Sequence, residues 1–372
     1  MRKRTVEIEN LEEFNRVGLD LRNHCLQKID FSTADIAWSD YILEGAVFLG
    51  CTLKAEERDV INHRGGIIFP RVENLPYEMY RNTLYTWQEL YASSDQAEGI
   101  TYDENIYNHF YENRYNISVT EALFQRLHDH AIDDALYELL GSNDDGTFQK
   151  KCIGVMGGHS KLRNDTDYKQ VVRLSHALAQ EGFFICSGGG PGIMEAANLG
   201  AYLKSYSSTD VETALDIMDS EKKYSDPGYM DDAMQVLEKF PDGTKNLAIP
   251  TWFYGHEPSN VFASHIAKYF SNSIREDILL AVSIHGIVFA PGSAGTHQEI
   301  FMDAAQNHYV TFSYRSPMVF LNEEHYVEKT GIFPLLKHLA GDKEYGKKIM
   351  VSDSITEIVQ FIVDNPPYNN PT

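Results

Sequence analysis

The chain has 372 residues, of which 43% are apolar and 23% are charged. This length exceeds that of a usual single domain, and the composition is that of a globular protein rather than a disordered one. Acidic residues outnumber basic ones by 54 to 32, so the formal net charge is −22. Such a balance disfavours binding to nucleic acid or to an anionic membrane. Any anionic substrate must therefore be held by local dipoles and by a few well-placed cations.

The cysteines and the N-terminus indicate the compartment. The four cysteines are scattered, with no Cys-x-x-Cys pair and no spacing typical of metal ligands. The N-terminus lacks the apolar core of a signal peptide, and no apolar run approaches the length of a membrane span. We therefore expect a cytoplasmic protein without a metal centre and without a membrane or nucleic-acid partner.

Residues 1–145 are predicted to form a small α/β domain whose role the sequence does not indicate. Two apolar runs, residues 46–50 and 66–69, are typical of buried strands. Residues 118–140 have the apolar spacing of an amphipathic helix. The polar, turn-forming residues 141–146 indicate a domain boundary.

Residues 146–372 follow a regular pattern, in which short apolar strands alternate with small-residue loops and amphipathic helices. Two such strands, residues 152–156 and 183–186, are each followed by a glycine-containing loop and then by a helix. This alternation predicts a doubly wound, mostly parallel, Rossmann-like sheet. Ligands of such sheets bind beyond the carboxyl ends of the strands.

A polar, acidic segment at residues 205–245 interrupts this alternation and carries a candidate helix, residues 230–240. Its composition fits either a surface insertion or a lid. After the next strand, residues 260–280 are predicted to form one long helix that carries Arg275. An apolar strand at residues 286–290 then leads into the most informative motif of the chain.

That motif, residues 291–299, reads Pro-Gly-Ser-Ala-Gly-Thr-His-Gln-Glu and opens a helix. The first backbone N–H groups of a helix are unpaired and lie at the positive end of its dipole, so a phosphate can bind there. A similar motif, Ser-Gly-Gly-Gly-Pro-Gly at residues 187–192, follows an earlier strand in the same way, so in chain order it is the first glycine motif and residues 291–299 are the second. In a parallel sheet the two glycine loops can face one crevice.

These motifs, residues 187–198 and 291–299, resemble those of the Lonely Guy (LOG) family, which is also labelled lysine decarboxylase-like. The resemblance covers roughly residues 150–365. It implies a Rossmann-like fold and a homodimer or larger homo-oligomer. It also implies hydrolysis of a nucleoside 5′-monophosphate to free base and ribose 5-phosphate, without a cofactor or a metal. AMP is the first substrate to test.

The resemblance also implies roles for individual residues. Glu299 would stabilise the positive charge that builds on the ribose and orient the attacking water, and Arg275 would hold the phosphate or stabilise the departing base. The residues implied in phosphate and ribose binding are Gly292, Ser293, Ala294, Gly295, Thr296, Gly188, Gly189 and Gly190. The residues expected to line the pocket are Gly157, Gly158, His256, Glu257 and Asn260.

Two positions depart from the family's pattern. Its second motif has glycine where this chain has Ser293, which the loop tolerates unless that residue needs a positive φ angle. The family's Arg-Lys pair reads Arg275-Glu276 here, so the local charge changes by two units. These departures keep open a second hypothesis, a non-catalytic nucleotide-binding sensor.

Structural explanations compete with the catalytic one. Thr296 and Glu299 have the Thr-x-x-Glu spacing of a capping box, in which Glu299 would accept the backbone N–H of Thr296. Arg275 is also compatible with an exposed, salt-bridged position on a helix. A pyridoxal-dependent decarboxylase is disfavoured, because neither glycine motif has a lysine placed for a Schiff base.

Overall fold

The computed structural model describes residues 6–94, 97–143, 147–255 and 257–369. In chain order the strands are β1 (Val6–Ile8), β2 (His24–Gln27), β3 (Val47–Leu49), β4 (Ile67–Phe69), β5 (Ser93–Ser94), β6 (Ala97–Thr101), β7 (Cys152–Met156), β8 (Phe184–Ser187), β9 (Leu247–Ala248), β10 (His265–Ile266), β11 (Ile287–Phe289), β12 (Tyr314–Arg315), β13 (Met318–Phe320), β14 (Ile349–Val351) and β15 (Tyr368–Asn369).

The α-helices are α1 (Leu11–Phe14), α2 (Ala55–His63), α3 (Trp87–Tyr91), α4 (Tyr102–Asn113), α5 (Val119–Leu140), α6 (Thr166–Gln180), α7 (Ile193–Tyr202), α8 (Ser208–Met218), α9 (Tyr229–Lys239), α10 (Asn272–Val282), α11 (Ala294–Tyr309), α12 (Ile332–Ala340) and α13 (Ile355–Asp364). The chain divides into two compact units, Met1–Asn82 and Thr83–Thr372.

In the first unit, each successive segment of the chain adds one short strand parallel to the strand before it. Strands β1, β2, β3 and β4 pair in that order, all of them parallel. Parallel bridges between Asp20 and Ile42 and between Asp30 and Thr52 join the same segments outside the strands. The inward-facing side chains are apolar and form a core of their own. The N-terminal α/β domain is therefore built as a short, solenoid-like stack, with helices only in its connections.

The units divide before α3, whereas the sequence placed the boundary near residue 145. Buried polar contacts explain why α4 and α5 belong with the second unit. Asp103 of α4 forms an ion pair with Lys268 Nζ at 2.8 Å. Asp129 of α5 accepts the backbone N–H of Ser271 at 2.9 Å. Because these groups are buried, their hydrogen bonds hold the two helices against the segments that follow β9 and β10.

The second unit contains a seven-stranded, wholly parallel sheet with the order β10-β9-β8-β7-β11-β13-β14. The chain builds outward from β7 in one direction and then restarts at β11 on the other side of β7. This reversal between β7 and β11 is the switch point of a doubly wound sheet. The predicted Rossmann-like α/β fold is confirmed.

The central strands are buried along their whole length. Every residue of β7, β11 and β13 is buried, as expected for parallel strands with helices packed on them. The main core joins these strands to apolar side chains of α6, α7 and α13. Along the described residues, no helix is both long enough and apolar enough to cross a membrane.

The polar segment at residues 205–245 forms α8 and α9, whose apolar faces join this main core. Arg163 forms a buried ion pair with Glu195, which belongs to α7, and this pair lies next to α9. The Nη2–Oε1 distance is 2.6 Å, and Arg163 Nη1 donates to the carbonyl oxygen of Tyr229 at 2.5 Å. Since Glu195 belongs to the first glycine motif, this network fastens the inserted helices to that motif.

The prediction of one long helix over residues 260–280 is wrong, because α10 begins only at Asn272. The preceding residues pair with the sheet instead. Strand β10 is parallel to β9, and the N–H of Ala267 donates to the carbonyl of Ala248 at 2.8 Å. Sheet pairing satisfies the backbone groups that a helix would otherwise have paired internally.

Replacing Arg163 by glutamine should destabilise the second unit, because Glu195 would be left as an unpaired buried charge. Breaking a buried pair costs about 3–5 kcal/mol, so the midpoint of thermal unfolding should fall by about 5 °C or more. Differential scanning calorimetry measures the change.

The matched control is Arg173→Gln, which breaks an ion pair whose partners, Arg173 and Glu212, are 40% and 52% exposed. Exposed pairs contribute less than about 1 kcal/mol. Equal midpoints for the two variants would contradict a structural role for Arg163.

Candidate functional site

The loops that follow β7, β8 and β11 meet at the switch point of the sheet. The N–H of Gly158 donates to the carbonyl of Pro291 at 3.0 Å. A Cβ on Gly192, whose φ is +69°, would lie 2.5 Å from the carbonyl oxygen of Gly158. A Cβ on Gly292 would lie 3.0 Å from the nitrogen of Gly158 and 2.1 Å from Thr296 Oγ1. Glycine is therefore required at both positions by the close approach of backbones.

The second glycine loop is open at the start of α11. The helix begins at Ala294, and Ser293 is its N-cap. Ser293, Ala294 and Gly295 are exposed, Gly292 is half-buried and Thr296 is buried. The first N–H groups of a helix have no intrahelical partner and carry its positive partial charge. This loop can therefore receive an anion directly.

The position of the helix start resolves two of the expectations. Ser293 has φ −120°, outside the left-handed region, so serine fits where the family has glycine. The Thr296–Glu299 capping box does not form, because Ser293 is the N-cap and Glu299 is the sixth residue of α11. The carboxylate of Glu299 contacts Arg275 instead.

Arg275 of α10 and Glu299 of α11 form a buried pair. The Nη1–Oε1 distance is 3.4 Å, and the two residues are 8% and 9% exposed. Arg275 Nη2 donates to Asn272 Oδ1 at 3.1 Å, and its Nε is buried with no acceptor among the residues that the structure describes. Burial raises the pKa of Glu299 to about 7, against the opposing effect of the Arg275 charge. The carboxyl group therefore titrates near neutral pH.

Glu276 is a buried carboxylate beside this pair, 3.7 Å from Arg275 Nη2. Asn272 Nδ2 donates to one of its oxygens at 2.9 Å, and Gln298 Nε2 donates to the other. The charge of Glu276 also contributes to the raised pKa of Glu299. Glu276 therefore places a second buried carboxylate beside Arg275, at the position where the motif that this segment resembles has a lysine.

Asn272 and Gln298 are site residues that the sequence reasoning missed. Asn272 precedes Arg275 and Glu276 by three and four residues, so all three share one face of α10. That spacing could have indicated Asn272 once the start of α10 was known. No spacing indicates Gln298, because its partner Glu276 lies on another helix.

The first glycine loop borders the Arg275–Glu299 pair but is less open. Gly188 is half-buried, and a Cβ there would lie 3.9 Å from Arg275 Nη1. Gly189 and Gly190 are buried. The carbonyl of Gly189 accepts hydrogen bonds from the backbone N–H and the Nδ2 of Asn260, at 2.9 and 3.0 Å. Asn260 therefore supports the loop from within.

Glu257 covers the outer part of this loop. A Cβ on Gly190 would lie 3.1 Å from Glu257 Oε2, and the other carboxylate oxygen is 3.9 Å from His159 Nδ1. Its side chain is 28% exposed, so it can reach a ligand. The predicted pocket residue His256 lies outside the described residues. In the described part of the chain, no group of His, Cys, Asp or Glu could hold a metal ion.

The structure thus brings Arg275, Glu299, Gly188 and the second glycine loop to one place. Gly157 packs under this place, since a Cβ there would lie 2.6 Å from Ile193 Cγ2. A doubly wound sheet with glycine loops at its switch point defines a Rossmann-like α/β protein.

Comparison with known families agrees with this class. Residues 150–208 match the family model described as LDcluster4, SLOG cluster4 family. The matched segment runs from β7 through α7 and includes the first glycine motif. It confirms the resemblance to LOG-type Rossmann-like proteins over this part of the chain. No curated protein sequence matches the chain.

Solved structures similar to this chain include a molybdenum cofactor binding protein and a molybdenum cofactor carrier protein. The molybdenum cofactor binding protein of Rippkaea orientalis is 16% identical, with a TM-score of 0.37, over 58% of this chain and 97% of that one. The molybdenum cofactor carrier protein of Chlamydomonas reinhardtii is also 16% identical, with a TM-score of 0.37, over 58% of this chain and 98% of that one.

Asp303, one turn after Glu299 on α11, is a second buried carboxyl group. Its Oδ1 accepts a hydrogen bond from Asn307 Nδ2 at 3.1 Å, and its Oδ2 has no partner among the described residues. Burial raises the pKa of Asp303 to about 8. The folded protein therefore retains a proton on Asp303 at neutral pH, where an unfolded chain would release it.

Asp303→Asn should make the protein more stable than the wild type at high pH. Because the folded-state pKa lies above the unfolded value, wild-type stability is lost progressively as the pH rises from about 4 to about 8. The variant lacks this loss, so its advantage in the free energy of unfolding should grow by about 2–5 kcal/mol across that window. Urea unfolding at pH 5 and pH 8 measures it, with the exposed Asp364→Asn as control. An advantage that does not change with pH would contradict this account.

Proposed function

We propose that this protein hydrolyses the N-glycosidic bond of a nucleoside 5′-monophosphate, with AMP as the first substrate to test. The observation that carries the proposal is the buried Arg275–Glu299 pair, which lies directly behind an exposed phosphate-accepting loop. The match of residues 150–208 to the SLOG cluster4 family supports it.

In the proposed complex, the phosphate binds the N–H groups of Ser293, Ala294 and Gly295 at the start of α11. These residues are exposed, and in an acidic protein the helix dipole supplies much of the positive potential that the phosphate requires. The ribose then lies towards Glu299, one helical turn further along α11. Glu257, above the first glycine loop, can accept hydrogen bonds from sugar hydroxyl groups.

The chemistry follows from the charges of the transition state. As the bond between the base and C1′ of the ribose breaks, positive charge develops on the sugar. Ionised Glu299 stabilises that charge and orients a water molecule towards C1′. The water oxygen bonds to C1′ and the water gives up one proton, while the base departs with the electron pair of the broken bond and takes up one proton, so that one water molecule is consumed. Arg275 holds the phosphate or stabilises the negative charge that gathers on the departing base.

Incubation with a panel of nucleoside 5′-monophosphates, followed by chromatography of the free base, tests the reaction. Base release from at least one of them is expected, and no release from any would refute the hydrolase.

The second candidate function is a nucleotide sensor without catalysis, favoured by the buried carboxylate of Glu276 beside Arg275. Thermal stabilisation by a nucleotide without product formation would identify the sensor.

Glu299→Gln should lower the rate of base release at least 100-fold, because the amide carries no charge to stabilise the sugar cation. Both roles of Glu299 require the ionised carboxylate, whose pKa is about 7, so the wild-type rate should rise between pH 6 and pH 8. Rates measured across this pH range check both expectations. Removing a buried carboxyl with a raised pKa does not lower stability above neutral pH, so the thermal transition should not fall.

The matched control is Glu138→Gln on the exposed surface of α5, which should retain the wild-type rate and pH profile. A rate of base release that falls as the pH rises through 7 would show that the reaction requires Glu299 in its protonated form, which would contradict the proposed role. Wild-type activity in Glu299→Gln would remove it from the chemistry.

Glu276→Gln should tighten the binding of a nucleoside monophosphate. The amide keeps an oxygen that can accept from Asn272 but removes the negative charge beside Arg275. Removal of one nearby charge in a partly buried site should lower the dissociation constant roughly three- to tenfold and shift the pH profile to lower pH. Isothermal titration calorimetry with AMP measures the binding even if turnover is absent. Weaker binding would show that Glu276 itself contacts the ligand.

A further inference from the structure

A cavity lies beside the start of α10, within the same compact unit as the proposed hydrolytic site. Its volume is about 390 Å³, in the range of small-molecule sites. It is lined by residues of α4 and α5, of the turn between these helices, of the segments before α10 and of the first turn of α10, but Arg275 and Glu299 do not line it. The proposed hydrolase site therefore does not account for this space.

Aromatic rings form much of the wall. Phe110 and Phe270 are buried, with ring centroids 5.8 Å apart. Phe253, also on the wall, is 46% exposed. Aromatic faces of this kind pack against flat rings, and an exposed phenylalanine gains most from being covered. The wall therefore favours a ligand with an aromatic ring.

Two arginines on the wall give the cavity a positive potential in an otherwise acidic chain. Arg114 and Arg126 form no salt bridge with a carboxylate in the parts of the chain that are described. The guanidinium of Arg114 lies over the rings of Tyr111 and Tyr115, at 4.4 and 4.5 Å from their centroids, and these contacts orient it. Its Nε is buried and has no acceptor among the described residues.

One carboxylate, Asp129, also lines the cavity. Its oxygens accept the backbone N–H groups of Phe270 and Ser271, both at 2.9 Å. The charge of Asp129 is thus compensated by hydrogen bonds inside the protein, whereas no carboxylate among the described residues pairs with either arginine. The charges of the residues that line the cavity therefore favour the binding of an anion.

We propose that this cavity binds a small aromatic anion, with its ring against the phenylalanines and its anionic group at Arg114 and Arg126. The site is separate from the hydrolytic one, although Asn272 lines the cavity and also accepts a hydrogen bond from Arg275. Binding in the cavity requires no turnover of a nucleotide, so it can be tested whether or not the hydrolase proposal holds.

The test uses two fluorescent probes and the full chain. The probes are 1-anilinonaphthalene-8-sulfonate, an aromatic anion, and N-phenyl-1-naphthylamine, which has the same rings without the sulfonate. Saturable binding of the sulfonate is expected. Arg126→Gln should weaken it about three- to tenfold and leave the uncharged probe unchanged, because one charge contact is removed. Arg114→Gln combined with Arg126→Gln should weaken the sulfonate further.

Ala122→Trp, which fills the cavity, should weaken both probes. Arg173→Gln, an exposed arginine in an ion pair elsewhere, is the charge-matched control and should change neither. Because Arg126 is exposed, its replacement leaves the fold intact, which the thermal transition verifies. No saturable sulfonate binding, or binding that neither Arg126→Gln nor Ala122→Trp weakens, would overturn the proposal.

Discussion

The candidate site depends on direct contact between backbones at the switch point of the parallel sheet. The loop after β7 hydrogen-bonds to the loop after β11 through Gly158 and Pro291, at 3.0 Å. Gly192 and Gly292 permit this contact, because a Cβ at either position would lie within van der Waals distance of the neighbouring loop. With the loops in contact, α11 must begin at the crevice. The open N–H groups of that helix and the carboxylate one turn later therefore have fixed positions relative to each other.

Electrostatics set the character of this corner. The site has one buried arginine, Arg275, against two buried carboxyl groups, Glu276 and Glu299. When Glu299 is protonated the three groups are neutral together, and when it ionises the cluster is negative. An incoming phosphate therefore opposes the ionisation on which the proposed chemistry depends. In the proposed reaction, the helix dipole and Arg275 must outweigh this repulsion. The proposal therefore makes the charge of Glu276 decisive between catalysis and nucleotide binding without catalysis.

The sequence was sufficient to predict the second unit, because strand, glycine loop and helix repeat with local spacings and both motifs lie at strand ends. It was insufficient where tertiary contacts compete with local pattern. Residues 265–267 lie in a stretch with helical spacing but pair with β9. Helices α4 and α5 join the second unit through buried contacts to distant residues such as Lys268. The stacked first unit also has a signal in its sequence, the five-residue spacing of Leu21, Leu26 and Phe31, whose side chains lie in its core.

A crystal structure of the Glu299→Gln variant with AMP tests the central claim most directly, since the variant should bind the nucleotide without consuming it. The account predicts phosphate oxygens within hydrogen-bond distance of the N–H groups of Ser293, Ala294 and Gly295, with C1′ of the ribose facing residue 299. A phosphate bound instead at Gly188 to Gly190, or in the cavity beside α10, would contradict it.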